Sequence, residues 1–334
     1  MKTPSTTFRI TRRQGVLATT FAAALLAAGA AYAQQPYPNK VVRLVVPFGT
    51  GGTTDIVARV MADPLGRALG QPVIVENKAG GGGTVGAAET ARATPDGYAL
   101  GMATVSTTAA NPAINPKIPY NPLTDFTPII NIAATPNVLV VHPSFPAQNY
   151  KELLAELKKS PGKYSYASGG TGSISHLQME LFKGLTGTFM THIPYRGDGP
   201  ALNDTVAGQV LVQFGNLPSA LPFIQAGRLR AIAVAAPQRL SIMKDTPTFE
   251  EIGLTRMNRM AYFGIAGPKG LPRDVVDKVN AAARQVLQDP AVRKRVEDTG
   301  SVVVANTPEQ FAQQIREEFD SYRQVVTDQK LTLE

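Results

Sequence analysis

The sequence predicts an α/β protein built from two similar lobes. Two observations carry this. Short apolar runs with strand character alternate with helical patterns along most of the chain, as parallel α/β sheets require. In addition, a strand, a glycine-rich turn and a helix start follow one another twice, at residues 41–55 and again at residues 164–185.

The first of these stretches reads VVRLVVPFGTGGTTD. Val41, Val42, Leu44, Val45 and Val46 form a mostly β-branched run, the pattern of a strand covered on both faces. Pro47 cannot donate to a ladder and closes the strand. Gly49, Gly51 and Gly52 free the backbone to turn and expose its N–H groups. Thr53, Thr54 and Asp55 offer helix caps, and apolar residues recur from Ile56 to Leu69. A junction of this kind makes an anion site, because the first N–H groups of a helix are unpaired and its dipole favours negative charge; the alternative is a tight βα turn with no ligand. Pro64 and Gly66 predict a kink or break in that helix.

Residues 72–76 read as the next strand. A glycine cluster at residues 80–83, a small-residue helix to Ala93, a turn at Pro95-Asp96-Gly97 and a strand at residues 98–104 follow. In a parallel sheet, ligands sit beyond the carboxyl ends of the strands. Those ends carry residues 49–54, 80–84 and 104–107, all glycine or hydroxyl clusters that suit hydrogen bonding better than catalysis. Residues 111–128 hold five prolines and predict an irregular crossing segment. Thr135-Pro136 marks the passage to a second series. That series has strands at residues 138–142, 164–167, 192–195, 210–214 and 229–235, and helices at 150–159, 174–185 and 219–226, with another after Pro200. Near Pro247 the character changes again. A strand at residues 262–266 is followed by helices at 273–288, 291–298 and 308–326, with a short strand at 302–304. The dense charge of these last helices reads as solvated faces.

The N-terminus predicts export. Arg9, Arg12 and Arg13 precede an alanine-rich apolar run, and Ala31-Tyr32-Ala33 has the form of a cleavage site. The run is short for a membrane anchor. Cleavage after Ala33 leaves 334 − 33 = 301 residues, enough for two domains with cores of their own. The removed segment carries Lys2 and three arginines and no acid, so the net charge falls from +8 to 8 − 4 = +4. That mild excess, without aromatic-basic interleaving, predicts no nucleic-acid partner. The chain has no cysteine, which excludes disulfides and thiolate chemistry.

Six blocks in order resemble the substrate-binding proteins of the tripartite tricarboxylate transporters, the Bug family of periplasmic solute receptors. They are YPNKVVRLVVPFGTGGTTD, PVIVENKAGGGGTVGA, TPDGYALGMAT, YASGGTGSISHLQMELF, HIPYRGDGPALNDTVAGQV, and the pair GRLRAIAVAAPQR and PTFEEIGL. The resemblance covers essentially the whole mature chain. It implies a two-lobed type II periplasmic binding protein fold, α/β in both lobes, with a ligand cleft between them. Residues 1–33 would be the signal peptide, residues 34–136 plus 251–334 domain 1, and residues 137–250 domain 2. It implies a monomeric periplasmic receptor for a small organic carboxylate, handed to a permease of one large and one small membrane subunit.

Carried over by motif, the domain 1 side of the site falls on Phe48, Gly49, Thr50, Gly51, Gly52, Thr53 and Asp55, with Thr104 and Ser106 at a strand end. The domain 2 side falls on Ser168, Gly169, Gly170, Thr171, Gly172, Ser173 and His176, and on Tyr195, Arg196 and Gly197. One departure bears on the ligand. Relatives often carry an acid after the strand at 210–214, where this chain has Gly215-Asn216, and its absence weakens an amino-acid ligand and favours a simple organic acid.

No enzyme, cofactor or metal is expected. No serine lies in a G-x-S-x-G elbow, and no P-loop is present. His142, His176 and His192 lack metal-ligand spacing, and Ser173 and His176 share a helix face with no orienting acid. The rival is a dinucleotide enzyme, from Gly49-Thr50-Gly51 after one strand and Glu76 at the end of the next. Thr54 stands where its third glycine belongs, and export argues against it. A receptor that presents its liganded form to a sensor protein remains a further alternative.

Overall fold

The computed structural model describes residues 37–333. The expected signal segment, residues 1–33, lies outside them. From Lys40 onward the chain forms one compact unit, organised around two sheets.

The first sheet collects β1 (Val42–Val46), β2 (Val73–Asn77), β3 (Ala99–Thr104), β4 (Phe126–Thr135), β10 (Ala261–Pro268) and β11 (Val302–Val303), in the order β11-β4-β10-β3-β1-β2. β1 pairs in parallel with β2 and β3, as the alternating pattern predicts. β10 enters antiparallel between β3 and β4, so the sheet is mixed. The second sheet collects β5 (Asn137–Val141), β6 (Ser165–Ser168), β7 (Thr191–Pro194), β8 (Val212–Asn216) and β9 (Arg230–Ala235), in the order β7-β6-β8-β5-β9. Each sheet is the centre of a lobe. Pro136 alone separates β4 of one sheet from β5 of the other, and the chain returns to the first sheet at β10.

The helices of the first lobe are α1 (Thr53–Leu69), α2 (Thr84–Ala91), α3 (Asn111–Ile114), α8 (Arg273–Gln288), α9 (Pro290–Glu297) and α10 (Pro308–Asp328). Those of the second are α4 (Tyr150–Lys159), α5 (Ile174–Thr186), α6 (Asp198–Val206) and α7 (Leu217–Gln225). The amphipathic α8 buries Val275, Val276, Val279, Ala283 and Leu287 and leaves its charges outside. Phe145, Tyr166, Phe182, Phe214 and Phe249 build the second lobe's main core. No helix among the described residues is long and apolar enough to cross a membrane.

Three local expectations change. α1 runs unbroken through Pro64 and Gly66. Gly66 serves packing: a Cβ there would stand 3.2 Å from both the Gln71 carbonyl and the Val73 nitrogen, where β2 passes against the helix. Thr53, Thr54 and Asp55 lie inside α1 and do not cap it; its N-cap is Gly52, without a side-chain bond. The proline-rich segment begins as a helical turn, α3, and is preceded by a single π turn at Ser106–Ala110. β4, ten residues long, emerges from that segment although three prolines crowd its approach.

β10 is packed to its limit. At Gly264 a Cβ would stand 2.4 Å from the Ile130 carbonyl oxygen and 2.5 Å from Phe311 Cζ. Gly264→Ala is expected to cost about 1–3 kcal/mol, the usual cost of overpacking, read as a lowered urea midpoint with unchanged slope.

Candidate functional site

Four helices start at one place. α1, α5, α6 and α7 belong to both lobes, and the first residues of all four line a cavity of about 20 Å³ in the cleft. That volume is room for about one water. Thr53 and Thr54 come from α1, Ile174 and Ser175 from α5, Asp198 from α6, and Asn216 is the N-cap of α7. Thr104, Val105 and Ser106 close one wall, with Ala261 and Phe263 of β10 behind them. Among the described residues, no lysine, arginine or histidine lines it. Helix dipoles, not cations, are what favours negative charge there. A larger depression of about 670 Å³ beside Arg43 is open, and Arg43 is already paired to Glu76 and Glu89.

The two lobes cap each other. The Ile174 N–H, first in α5, donates to Ser106 Oγ across the cleft (3.0 Å). The Ser219 N–H in the first turn of α7 donates to Thr53 Oγ1 (3.3 Å), whose own hydroxyl meets Ser219 Oγ (3.2 Å). The Gly49 N–H donates to the Arg196 carbonyl (2.9 Å). Two glycine seams allow this approach. In one, a Cβ at Gly199 would stand 2.3 Å from the Thr50 carbonyl oxygen, and one at Gly197 2.8 Å from the Gly49 nitrogen. In the other, a Cβ at Gly82 would stand 2.3 Å from the Thr171 carbonyl, and one at Gly172 2.5 Å from Asn111 Oδ1.

Of the residues singled out in the sequence, Phe48, Gly52, Thr53, Thr104, Ser106, Gly169 and Ser173 line the cavity. Gly49, Thr50, Gly170, Thr171, Gly172 and Gly197 form the seams beside it. Gly51 turns the chain at φ 78° and donates to Asp55 Oδ2 (3.1 Å). Asp55 is buried and also accepts from Arg59 and Asn77. Burial pushes its carboxyl up, but these hydrogen bonds outweigh it and hold the group below the usual range. Its part is to fix the turn: Asn77 links it to the Phe48 carbonyl.

The second-lobe turn is braced from within. Gly169 N–H donates to Ser175 Oγ (2.8 Å), Gly170 N–H to Ser168 Oγ (3.1 Å) and Gly172 N–H to His176 Nδ1 (3.2 Å). Ser168 Oγ also meets His192 Nε2 (2.6 Å). His176 is buried and stacks on His192 with ring centroids 4.1 Å apart. It supports the turn from below and does not line the cavity. Tyr195 donates to Asp204 (2.7 Å), and the Arg196 side chain is exposed.

Asp198 is a cavity residue that the sequence motifs do not single out. It lines the cavity between α5 and α7. Oδ1 lies 3.5 Å from Ser175 Oγ, and the Asn216 N–H bonds its carboxylate. Desolvation by the surrounding protein, with no cation to offset it, pushes its pKa up to about 6. The acid missing after β8 is thus supplied at the same place from α6. The signal was present in the RGDGP turn, where an acid stands among glycines at a helix start.

Two α/β lobes with helix starts converging between them make the fold of the periplasmic binding proteins. The sequence matches the tripartite tricarboxylate transporter family receptor over residues 57–331, and the chain belongs to that family. It is 35% identical to the BugT protein of Bordetella pertussis over 293 residues, 87% of this chain and 90% of BugT. A solved periplasmic transporter is 51% identical, with a TM-score of 0.88, covering 89% of this chain and all of that one. MatC from Rhodopseudomonas palustris with bound malate is 34% identical, TM-score 0.84, over 87% of this chain and 100% of MatC. R. palustris Rpa4515 with adipate is 31% identical, TM-score 0.85, over 89% and 99%.

The histidine pair carries a pH signature. Burial, and then the neighbouring His176, lower the His192 pKa to about 4, and burial lowers that of His176. The unfolded chain protonates near 6.5 and folded His192 only near 4. The stability held by the neutral ring is complete above pH 6.5 and is lost as pH falls towards 4. The stability gap between the protein and His192→Asn is expected to narrow as pH falls from about 7 to about 4.5, measured by urea unfolding at each pH.

Proposed function

We propose that this chain is a monomeric periplasmic receptor that captures a small organic carboxylate by lobe closure and delivers it to a permease of one large and one small membrane subunit. Residues 1–33 serve as its export signal. Residues 34–136 with 251–334 form the first domain, and residues 137–250 the second. The observation that carries the reading is the meeting of four helix N-termini at a cavity lined by no cation. Backbone N–H groups at helix starts bind a carboxylate by charge-assisted hydrogen bonds, each contributing about 1.5–3 kcal/mol. The malate and adipate held by the two R. palustris relatives belong to this ligand class.

The cross-lobe caps supply the mechanism. When the lobes part, Ile174 and Ser219 lose their acceptors Ser106 and Thr53. Their N–H groups then face the cleft at the starts of α5 and α7. A carboxylate takes the place of these hydroxyls and, contacting both lobes, favours their closure over it.

A thermal-shift screen of the exported chain against citrate, C4 to C6 diacids, acidic amino acids, terephthalate and nicotinate tests the function, with NAD as the control. One acid class at 100 times its Kd is expected to add about 2.7 kcal/mol of stability. A response to NAD alone overturns the reading.

Closure has its own test. Gly199 is a helical residue, so Gly199→Ala leaves the second lobe intact, but its Cβ would meet the Thr50 carbonyl. The variant is expected to fold with unchanged circular dichroism and to bind the acid found in the screen at least ~10-fold more weakly, a loss of about 1.4 kcal/mol. Affinity equal to that of the unmodified protein would show that the bound state does not use this seam.

A further inference from the structure

The binding cavity contains a negative group of its own. Among the described residues, Asp198 is the only charged one that lines it. Its carboxylate already takes the Asn216 N–H at the start of α7 and stands 3.5 Å from Ser175 Oγ at the start of α5. It lies against two glycines, in space that side chains there would take: a Cβ on Gly169 would stand 2.7 Å from Oδ1, and one on Gly215 3.7 Å from Oδ2. Among the described residues it forms no ion pair. An ionised carboxylate has about four lone-pair positions, and here two protein donors approach it. A carboxylate in a confined space without a cation needs further donors, or it costs stability. A plain diacid brings none and adds a like charge. A hydroxyl or ammonium beside the ligand's own carboxylate brings a donor to the acceptor that lacks one.

We propose that Asp198 is the specificity-determining residue of the cleft and selects carboxylates bearing a hydrogen-bond donor next to the acid group, 2-hydroxy or 2-amino acids, over plain acids of the same skeleton. This rests on the carboxylate-receptor reading above. It reverses the expectation drawn from Gly215-Asn216, because the acid reaches the same position from α6 instead of from the end of β8. The helix starts hold the ligand carboxylate, and Asp198 accepts from the donor one or two atoms away. The same carboxylate repels a second ligand charge placed there, which rejects acids that offer only another carboxylate.

Isothermal titration of the exported chain with three matched pairs tests this: succinate and malate, propionate and lactate, phenylacetate and mandelate, each hydroxy acid as its racemate. The pairs differ by one hydroxyl. In whichever pair binds, the hydroxy acid is expected to bind at least ~10-fold tighter, the range of a hydrogen bond to a charged group. In Asp198→Ala the ratio is expected to fall below about threefold, while the plain acid binds as well as before or better. A merely structural Asp198 would weaken both members of a pair equally and leave the ratio unchanged, which overturns the proposal. A ratio under about tenfold in the unmodified protein overturns it as well, whether or not the variant folds. Binding of both members without preference leaves the receptor reading standing and removes only this inference. If no acid in these pairs or in the wider screen binds, both fall together.

Discussion

The meeting of four helix N-termini is the constraint on which the rest of this structure depends. Each start leaves N–H groups without intrahelical partners, and a buried orphan donor is costly. Bringing four together concentrates that cost and the positive ends of four dipoles at one point. The chain resolves this with three kinds of acceptor. Side chains within the second lobe, Ser168, Ser175 and His176, take the amides of the glycine turn. Asp198 serves α7. Two further donors, the N–H groups of Ile174 and Ser219, are met by hydroxyls from the opposite lobe. Only this last group depends on how the lobes sit, so folding within a lobe and ligand capture draw on separate donors.

Close approach is the second constraint, and it explains the glycines better than turn formation does. Gly199 and Gly82 leave no space for a methyl group because a backbone carbonyl of the other lobe occupies it. Backbone-to-backbone contact of this kind brings the helix starts near enough to share one small cavity. Larger residues would keep the lobes intact and separate the donors. The paired glycine clusters are complementary surfaces, one on each side of the cleft.

Much of this was legible along the chain. The strand over residues 41–46, the glycine turn after it and the helix beyond are a local pattern, and α4 and α8 begin and end where periodicity places them. The two-lobe organisation followed from repetition of that pattern. β4 was missed because its approach is crowded with prolines, and its strand character comes from pairing with β10, 126 or more residues away in sequence. The supposed break at Pro64 failed for a related reason. Packing against α8 and β2 holds α1 together where propensity alone disfavours it.

The sequence by itself determined most of the elements, the family, the absence of thiol chemistry and the residues at the two glycine turns. These depend on local propensity, composition and ordered motifs, which need no knowledge of neighbours in space. Tertiary structure alone decided which of those residues face the cavity. Asp55, His176 and Arg196 carry charge or titrate and stand at the turns, yet Asp55 and His176 brace them from behind and Arg196 points outward. Thr53, Ser106 and Asp198 line the cavity because elements separated by many residues converge there. A helix N-terminus can be read from sequence, but the point where four of them meet is fixed by the crossing of β4 and β10 between the lobes and by the backbone contacts that only glycine permits.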